Sequence, residues 1–229
     1  MGLGLSHYFC GMLSPTEENY LKALYQLTAE MAEKKDAGTN ELAAHLGLKP
    51  ATVNDMLKKL KEKKLVNYEK YGKILLTAEG KRRALEVVRK HRLWETFLYE
   101  KLEFTWDEVH EVAEQLEHIQ SPKLIEKLDK FLHYPQFDPH GDAIPNAKGE
   151  IQKVVRQTLY EIPVGKTCKL VAVRDNSASF LQYVMKVGLG LSSKIKVLSK
   201  HEFDSSIEIE VNKKISVVSQ KFAENIFVI

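Results

Sequence analysis

The sequence has little of what marks secreted, membrane-spanning or thiolate-based metal proteins. Only two of its 229 residues are cysteines, Cys10 and Cys168, and they form no CxxC pair. Neither a disulfide framework nor a thiolate zinc site is therefore indicated. No stretch approaches the roughly 18 uncharged apolar residues that would span a bilayer, so the sequence predicts no integral membrane protein. These absences favour a reducing, cytoplasmic location.

The first 13 residues, MGLGLSHYFCGML, are apolar but lack two features of a secretion signal. They have no basic segment at the start and no small-x-small cleavage site. We interpret them as a disordered leader and regard Met12 as an alternative start.

Charge is spread unevenly along the chain. The total is only +3, but the net charge is +7 over residues 39–90, −7 over residues 91–150 and +5 over residues 151–229. A basic block suits a phosphate-binding face, and an acidic block that contains histidines suits cation binding. Both patterns also occur on solvated helix surfaces. The motifs within each block therefore have to show whether it is a binding face or an ordinary surface.

The N-terminal part predicts two short helices in succession after a longer one. Ser14 and Pro15 are typical of a helix start, and this first helix should run to about Lys34. Thr39 is predicted to cap a short helix that Gly47 ends. A second short helix is expected over residues 51–60, after a turn that contains proline. Two short helices joined by a tight turn, the second one basic, indicate a helix-turn-helix.

Residues 66–77 change from helical spacing to alternation and predict a hairpin that turns near Gly72, which completes a winged helix. A helix fills the major groove, while a hairpin reaches the adjoining backbone. The residues predicted to contact or approach bases are Lys49, Thr52, Asn54 and Asp55. Those predicted to contact the DNA backbone are Lys58, Lys59, Lys63 and Lys73. A winged helix that binds only another protein is the alternative.

Three further helices are predicted from Thr77 to about Leu132, and two of them carry histidine and glutamate at helical spacing. His91 and Glu95 are four residues apart and share one face. A second set falls within about 100° of arc on the next helix: His110, Glu114, Glu117 and His118. Imidazole and carboxylate without thiolate favour Mn²⁺, Fe²⁺, Co²⁺, Ni²⁺ or Zn²⁺. An ordinary solvent-facing acidic helix is the alternative.

The C-terminal part predicts a small β-rich domain behind a linker that contains proline and glycine. Alternating strands are expected at residues 167–174, 194–198, 206–211, 214–218 and 225–228, with one helix over residues 178–187. We expect these strands to close into a small barrel.

The order of motifs resembles the diphtheria toxin repressor family of metal-dependent transcriptional repressors. The winged helix is followed by KHRLWETFL, then DEVHEVAEQLEH, then DPHGDAIPN, and the resemblance covers about Ser14 to Ile229. It implies a mainly α fold with β structure, in three domains. These are a winged helix-turn-helix (14–76), a helical metal-binding and dimerisation domain (77–135) and, after a linker (136–149), a FeoA-like β-barrel (150–229).

The resemblance also implies two metal sites. The primary site would take Asn19 from the first helix together with Glu114, Glu117 and His118. The ancillary site would consist of His91, Glu95 and His110, and the C-terminal domain offers only Asp175 or Gln182 as guesses for a further ligand. Glu114 stands where some members carry cysteine, and Lys22 stands where binuclear manganese regulators carry glutamate.

These observations predict a metal-activated repressor that binds double-stranded operator DNA as a homodimer. It would have no small-molecule substrate and no enzymatic activity, and the all-oxygen-and-nitrogen primary site favours manganese over iron. An iron-dependent repressor of the same family is one alternative. A metalloenzyme is another, disfavoured because the paired E-x-x-H motifs of a di-iron bundle are missing. A metal-independent DNA-binding protein is the third.

Overall fold

A computed structural model of the chain describes residues 13–30, 36–68, 72–152, 156–175 and 177–229. The predicted leader, apart from Leu13, lies outside the described residues. They form two compact units. The first comprises the described residues up to Lys90, with Glu117–Gln120 and Pro145–Glu150. The second comprises His91–Leu116, Ser121–Ile144 and the described part of Ile151–Ile229.

The first unit contains the two short helices and the wing that the sequence predicts. Its elements are α1 (Pro15–Tyr25), β1 (Ala37–Gly38), α2 (Thr39–Leu46), α3 (Pro50–Glu62), β2 (Val66–Tyr68) and β3 (Lys73–Leu76). Ser14 and Glu17 form a capping box at the start of α1. Gly47, with a φ of +64°, ends α2 in the left-handed conformation. Leu21, Leu42 and Leu57 are fully buried in this unit.

One local prediction for this unit was wrong, that Thr39 caps the second helix, and another stays a prediction, the end of the first helix near Lys34. The α-helical part of the first helix ends at Tyr25 and continues as a π-helical turn over Gln26–Glu30, and the predicted end near Lys34 lies outside the described residues. Gly38 is the N-cap of α2, and Thr39 is the first helical residue. The reason is the short strand β1, which pairs with β3 and holds Gly38 in an extended conformation. A two-residue strand leaves no pattern in a sequence.

The helices after the wing are α4 (Ala78–Leu102), α5 (Val109–Leu116) and α6 (Pro122–Phe131). Helix α4 contributes residues to both units. In the second unit, Leu93, Ile125 and Ile144 belong to one buried apolar cluster. The sequence predicts a helix over residues 106–119, capped by Thr105, and the observed helix is shorter at both ends. Thr105 hydrogen-bonds the side chains of Asp107 and Glu108 in a turn, so α5 begins only at Val109.

The C-terminal part of the second unit is an antiparallel sheet in the order β4-β9-β5-β6-β7-β8. Its elements are β4 (Gln157–Thr158), β5 (Thr167–Val173), α7 (Ala178–Val187), β6 (Lys194–Lys200), β7 (Ile207–Val211), β8 (Lys214–Val218), α8 (Gln220–Glu224) and β9 (Ile226–Val228). The expected closed barrel is wrong. The edge strands β4 and β8 do not pair with each other, and β4 is only two residues long, so the sheet stays open.

The segment predicted as a linker contains a packed turn. An isolated bridge joins Phe137 to Ala143, and His140 between them is fully buried. The backbone N–H of Val173 on β5 donates to the His140 carbonyl at 3.0 Å. Gly141 has a φ of +85°, and a Cβ there would lie 2.0 Å from the Val171 carbonyl oxygen. Only glycine therefore fits where this turn meets the sheet.

The domain boundaries expected from the sequence stay a prediction. In the part of the chain that the structure describes, no helix is both long enough and apolar enough to cross a membrane.

Candidate metal centres and DNA-binding surface

Three predicted ligands come together in the second unit, and we call His91, Glu95 and His110 the ancillary cluster. Helix α4 supplies His91 and Glu95 one turn apart, and α5 supplies His110. Oε1 of Glu95 lies 2.9 Å from Nε2 of His91 and 3.0 Å from Nδ1 of His110. The two ring nitrogens are 3.1 Å apart. One carboxylate oxygen and two imidazole nitrogens thus form a nearly equilateral triangle.

Hydrogen bonds alone cannot satisfy this triangle. A carboxylate oxygen carries no proton, and each ring nitrogen carries at most one, which points at a single partner. At least one of the three close contacts is therefore unsatisfied without a cation. Adjacent ligands of an octahedral ion with bonds of about 2.1 Å are about 3.0 Å apart, whereas a tetrahedral ion spreads them to about 3.4 Å. The spacing fits one face of an octahedron.

Electrostatics favour the anionic form of Glu95. Its side chain is buried, which by itself raises its pKa, but His91, His110 and His140 around it hold the pKa well below its usual range. Glu114 lies next to the same cluster, with Oε1 at 3.6 Å from Nε2 of His110. A carboxylate on the far nitrogen of a histidine orients that ring toward a metal.

A second cluster lies in the first unit, and we call Glu18, Glu117 and His118 the primary cluster. Nδ1 of His118 lies 2.6 Å from Oε2 of Glu18, so the proton of this nitrogen is directed at the carboxylate. In the neutral tautomer that this contact favours, Nε2 of His118 carries the lone pair, and it lies 3.9 Å from Oε1 of Glu117. The side-chain amide of Gln120 donates to the other oxygen of Glu18 at 2.7 Å. One imidazole nitrogen and one carboxylate oxygen thus face each other across a gap that an ion can bridge.

The primary cluster already contains a fixed positive charge. Nζ of Lys22 donates to Oε2 of Glu117 at 2.7 Å, and both side chains are buried. Lys90 lies 3.4 Å from Oε1 of Glu18. The ammonium of Lys22 therefore occupies one oxygen of Glu117 and leaves the other directed at His118.

The remaining predicted ligands are placed as follows. Asn19 is exposed on α1, and the described contacts to His118 come from its neighbour Glu18. Gln182 donates to Asp107 at 2.8 Å, and Asp175 accepts the backbone N–H of Ser177 at 2.9 Å. These are the described side-chain contacts of the two C-terminal candidates.

Sequence reasoning missed two polar residues, Glu18 of the primary cluster and His140, which lies beside Glu95. Glu18 stands beside Asn19, and only the rotation of α1 decides which of them faces inward. His140 lies in DPHGDAIPN, but no helical or strand spacing relates it to Glu95. The pKa of His140 is raised to about 9, because burial, which lowers it, is outweighed by Glu95, Asp138 and the Trp106 carbonyl. Burial and the neighbouring carboxylates of Asp142 and Glu95 raise the pKa of Asp138 to about 7.

The predicted DNA-contacting residues lie on α3 and the wing, and several are held by neighbours. Lys49, Thr52 and Lys59 are exposed. The hydroxyl of Tyr68 donates to the Asn54 side chain. The predicted backbone lysines form three ion pairs: Lys58 with Asp55, Lys63 with Glu17 and Lys73 with Asp36. No ion pair of Lys59 is seen within the described residues.

The difference between two adjacent lysines gives a test of this surface. Lys59→Ala should weaken binding to all DNA sequences and lower the slope of log K against log salt by about 1, as loss of one phosphate contact does. Lys58→Ala should have a smaller effect, because its ammonium must first leave Asp55 at 2.9 Å. Fluorescence anisotropy on operator and random duplexes over a range of salt measures both. Loss of operator binding alone would show that Lys59 reads bases.

Comparison with family models covers most of the chain in three pieces. Residues 12–74 match the iron-dependent repressor N-terminal DNA-binding domain, and residues 77–146 match the iron-dependent repressor metal-binding and dimerisation domain. Residues 157–229 match the FeoA domain.

Individual relatives agree with these matches. The chain is 30% identical over 168 residues to the iron-dependent repressor IdeR of Mycobacterium leprae. The aligned region covers 69% of this chain and 71% of that protein. A 70-residue stretch is 44% identical to a probable metal transport system membrane protein of Chlamydia trachomatis, but it spans only 16% of that protein.

Solved structures extend the likeness to 93% of this chain. A manganese-dependent transcriptional repressor in complex with manganese is 34% identical, with a TM-score of 0.81, and the match covers 93% of this chain and 99% of that one. ScaR with bound Cd²⁺ is also 34% identical, with a TM-score of 0.73 and coverage of 93% and 98%.

Proposed function

Because this chain belongs to the diphtheria toxin repressor family and is a metal-dependent transcriptional repressor rather than an enzyme, we propose that manganese is the ion that activates it. The observation that carries this proposal is the triangle of the ancillary cluster, whose edges of 2.9, 3.0 and 3.1 Å fit an octahedral ion. Octahedral coordination by oxygen and nitrogen suits Mn²⁺ and Fe²⁺ better than the tetrahedral preference of Zn²⁺.

The primary cluster is proposed as the second metal site. Oε1 of Glu117 and Nε2 of His118 are its ligand atoms, and Glu18 holds the imidazole through Nδ1. Asn19, at the adjoining position of α1, stays the proposed neutral ligand from the first helix, and its side chain, which is exposed beside Glu18, would have to turn inward when the ion binds. Glu114 is proposed to orient His110, where the sequence had suggested a primary ligand. The ion, when bound, supplies a positive charge that draws these donors together.

Metal would control DNA binding through linkage. Glu18 lies on α1 of the DNA-reading part, and His118 lies after α5, so a bound ion favours the arrangement in which both segments are held together. A 100-fold gain in DNA affinity requires only about 2.7 kcal/mol of coupling. We propose that two chains act as a homodimer on an operator in the cytoplasm. The domains at 14–76, 77–135 and 150–229, with a linker at 136–149, are proposed as its parts.

Within the recognition surface, Lys49, Thr52, Asn54 and Asp55 are proposed to read or approach bases. The lysines at 58, 59, 63 and 73 are proposed to contact phosphates. The ion pairs described above mean that three of these lysines exchange a carboxylate partner for a phosphate on binding.

The choice of metal gives a further prediction. When each ion is buffered to the free concentration that is available in the cell, Mn²⁺ should activate operator binding, and Fe²⁺ should be slightly less effective. No thiolate is present to draw selectivity toward later transition ions. The affinity of the protein for each ion should still follow the general order in which Mn²⁺ binds most weakly. The preference therefore has to be measured as activation of operator binding and not as metal affinity. Operator binding in metal-buffered solution, one ion at a time, measures it. Activation by Fe²⁺ and not by Mn²⁺ would overturn the manganese assignment and leave the repressor function standing.

A further inference from the structure

One face of the C-terminal sheet lies away from its apolar core and is basic. Buried and exposed residues alternate along the first part of β5 and of β6, and the buried ones belong to the core cluster that α7 also joins. The exposed ones therefore point to the opposite face of the sheet. We call three of them, Lys169, Lys194 and Lys196, the basic face. Two further exposed lysines adjoin it, since Lys166 directly precedes β5 and Lys213 lies in the turn between β7 and β8.

Two lysines of the basic face lie directly opposite each other. Lys169 on β5 pairs with Lys194 on β6 in the antiparallel register, so their side chains share one side of the sheet. Like charges in this position destabilise a sheet. Lys196 follows on the same side of β6, about 7 Å further along the strand. The sheet thus holds a charge arrangement that costs stability, and a bound anion would offset this cost.

The basic face has little counter-charge of its own. Within the part of the chain that the structure describes, none of its three lysines forms an ion pair or a side-chain hydrogen bond. Glu210 on β7 lies opposite Lys196 in the register, and no ion pair joins the two. Glu208, the next carboxylate on β7, accepts from the Ser199 hydroxyl at 3.1 Å. The lysines outnumber these carboxylates, in agreement with the net charge of +5 over residues 151–229.

A shallow depression beside the lysines adds neutral hydrogen-bond donors. It has a volume of about 340 Å³ and is lined by Thr167, Lys194, Lys196, Glu210 and Asn212. A threonine hydroxyl and an asparagine amide beside lysine ammonium groups are donors that proteins direct at phosphate oxygens. Ammonium groups repel metal ions, so this chemistry fits a ligand that carries phosphate.

Duplex DNA is the phosphate-bearing partner that this chain already binds, because residues 12–74 match a repressor DNA-binding domain. Each DNA strand presents a phosphate about every 3.4 Å along the helix axis, so neighbouring lysines can contact the backbone without reading bases. Once the winged helix holds a duplex, a second contact to the same DNA is intramolecular. Even a weak contact then adds affinity.

We propose that the basic face binds the phosphate backbone of duplex DNA and is a second DNA-binding surface, in the C-terminal part of the chain. It should raise the affinity for all DNA sequences and steepen the salt dependence of binding. The inference rests on the repressor function for the identity of its partner, and it requires neither metal site.

The test compares the full wild-type chain with the double variant Lys194→Gln, Lys196→Gln, both with saturating Mn²⁺. Fluorescence anisotropy on a long random duplex measures binding over a range of salt. Loss of two phosphate contacts should lower the slope of log K against log salt by about 1.8. The advantage of wild type over the variant should therefore shrink about 12-fold between about 50 and 200 mM salt. The melting temperature should not fall, because the variant removes a like-charge pair.

Lys186→Gln is the matched control. It makes the same charge change at an exposed residue of α7, the helix that packs on the other face of the sheet. A double variant whose slope equals that of Lys186→Gln would overturn the proposal.

Inorganic phosphate, titrated into wild type and the double variant by calorimetry, separates DNA from a small anion. Phosphate binding that only the double variant loses, with an unchanged DNA slope, would assign the basic face to a small anion and overturn the proposal. Stimulation of operator binding by Mn²⁺ should be equal in wild type and the double variant. Its absence from wild type would refute the proposed function and leave the slope measurement valid for the basic face.

Discussion

Glu117→Gln and His118→Gln should each abolish the stimulation of operator binding by Mn²⁺, a loss of about 100-fold in affinity at saturating metal. Each change removes one of the two ligand atoms that face each other across 3.9 Å in the primary cluster. Glutamine at position 117 still offers an oxygen to Lys22, and glutamine at position 118 still offers an N–H to Glu18. Both variants should therefore fold, and operator titration with and without Mn²⁺ measures the effect.

Glu111→Gln provides a matched control, because Glu111 is an exposed residue of α5, the helix that precedes the primary cluster. It removes a carboxylate from α5 and changes no residue of either cluster. Thermal unfolding followed by circular dichroism checks that all three variants are folded. A full metal response in Glu117→Gln and His118→Gln would place the activating ion elsewhere.

Lys22→Met should destabilise the metal-free protein by about 3–5 kcal/mol, the usual cost of removing one partner of a buried ion pair. The ammonium lies 2.7 Å from Oε2 of Glu117, and both side chains are at most 6% exposed. Without it, the carboxylate of Glu117 stays buried and loses the ammonium that lies 2.7 Å away. Mn²⁺ should then raise the melting temperature more in the variant than in wild type, because the ion replaces the lost positive charge.

The double variant Lys22→Met with Glu117→Gln separates charge from packing. It removes both charges, so it should recover most of the stability that Lys22→Met loses. Urea unfolding of the four metal-free proteins gives the coupling free energy. A loss below about 1 kcal/mol in Lys22→Met would show that the pair is weaker than its burial implies.

Much of this arrangement could be predicted from local sequence patterns. The helix start at Ser14-Pro15, the end of α2 at Gly47 and the extents of α7 and β8 follow from capping residues and periodicity, and the structure has them. His91 and Glu95 were predicted to share a face because four residues make about one helical turn. The contact of His110 with both of them depends on how two helices pack, and it was expected only from the resemblance to the diphtheria toxin repressor family.

Other features depend on contacts between distant parts of the chain. Whether Glu18 or Asn19 meets His118 is decided by a rotation of about 100° per residue around α1, which amphipathic spacing does not resolve. His140 lies in a segment whose proline and glycine content predicted a linker, yet its backbone pairs with β5. The open sheet follows from one missing pairing between β4 and β8, and no residue in either strand signals it.

The close approach of Gly141 to β5 has an evolutionary consequence. With 2.0 Å between a Cβ at this position and the Val171 carbonyl oxygen, any side chain would push the turn off the sheet. Trp106, which stacks on His140, is also part of the buried apolar cluster of the C-terminal sheet. Selection on residues 106 and 141 should therefore act only in chains that carry this sheet, and related chains that have lost it should be free to vary at both positions together.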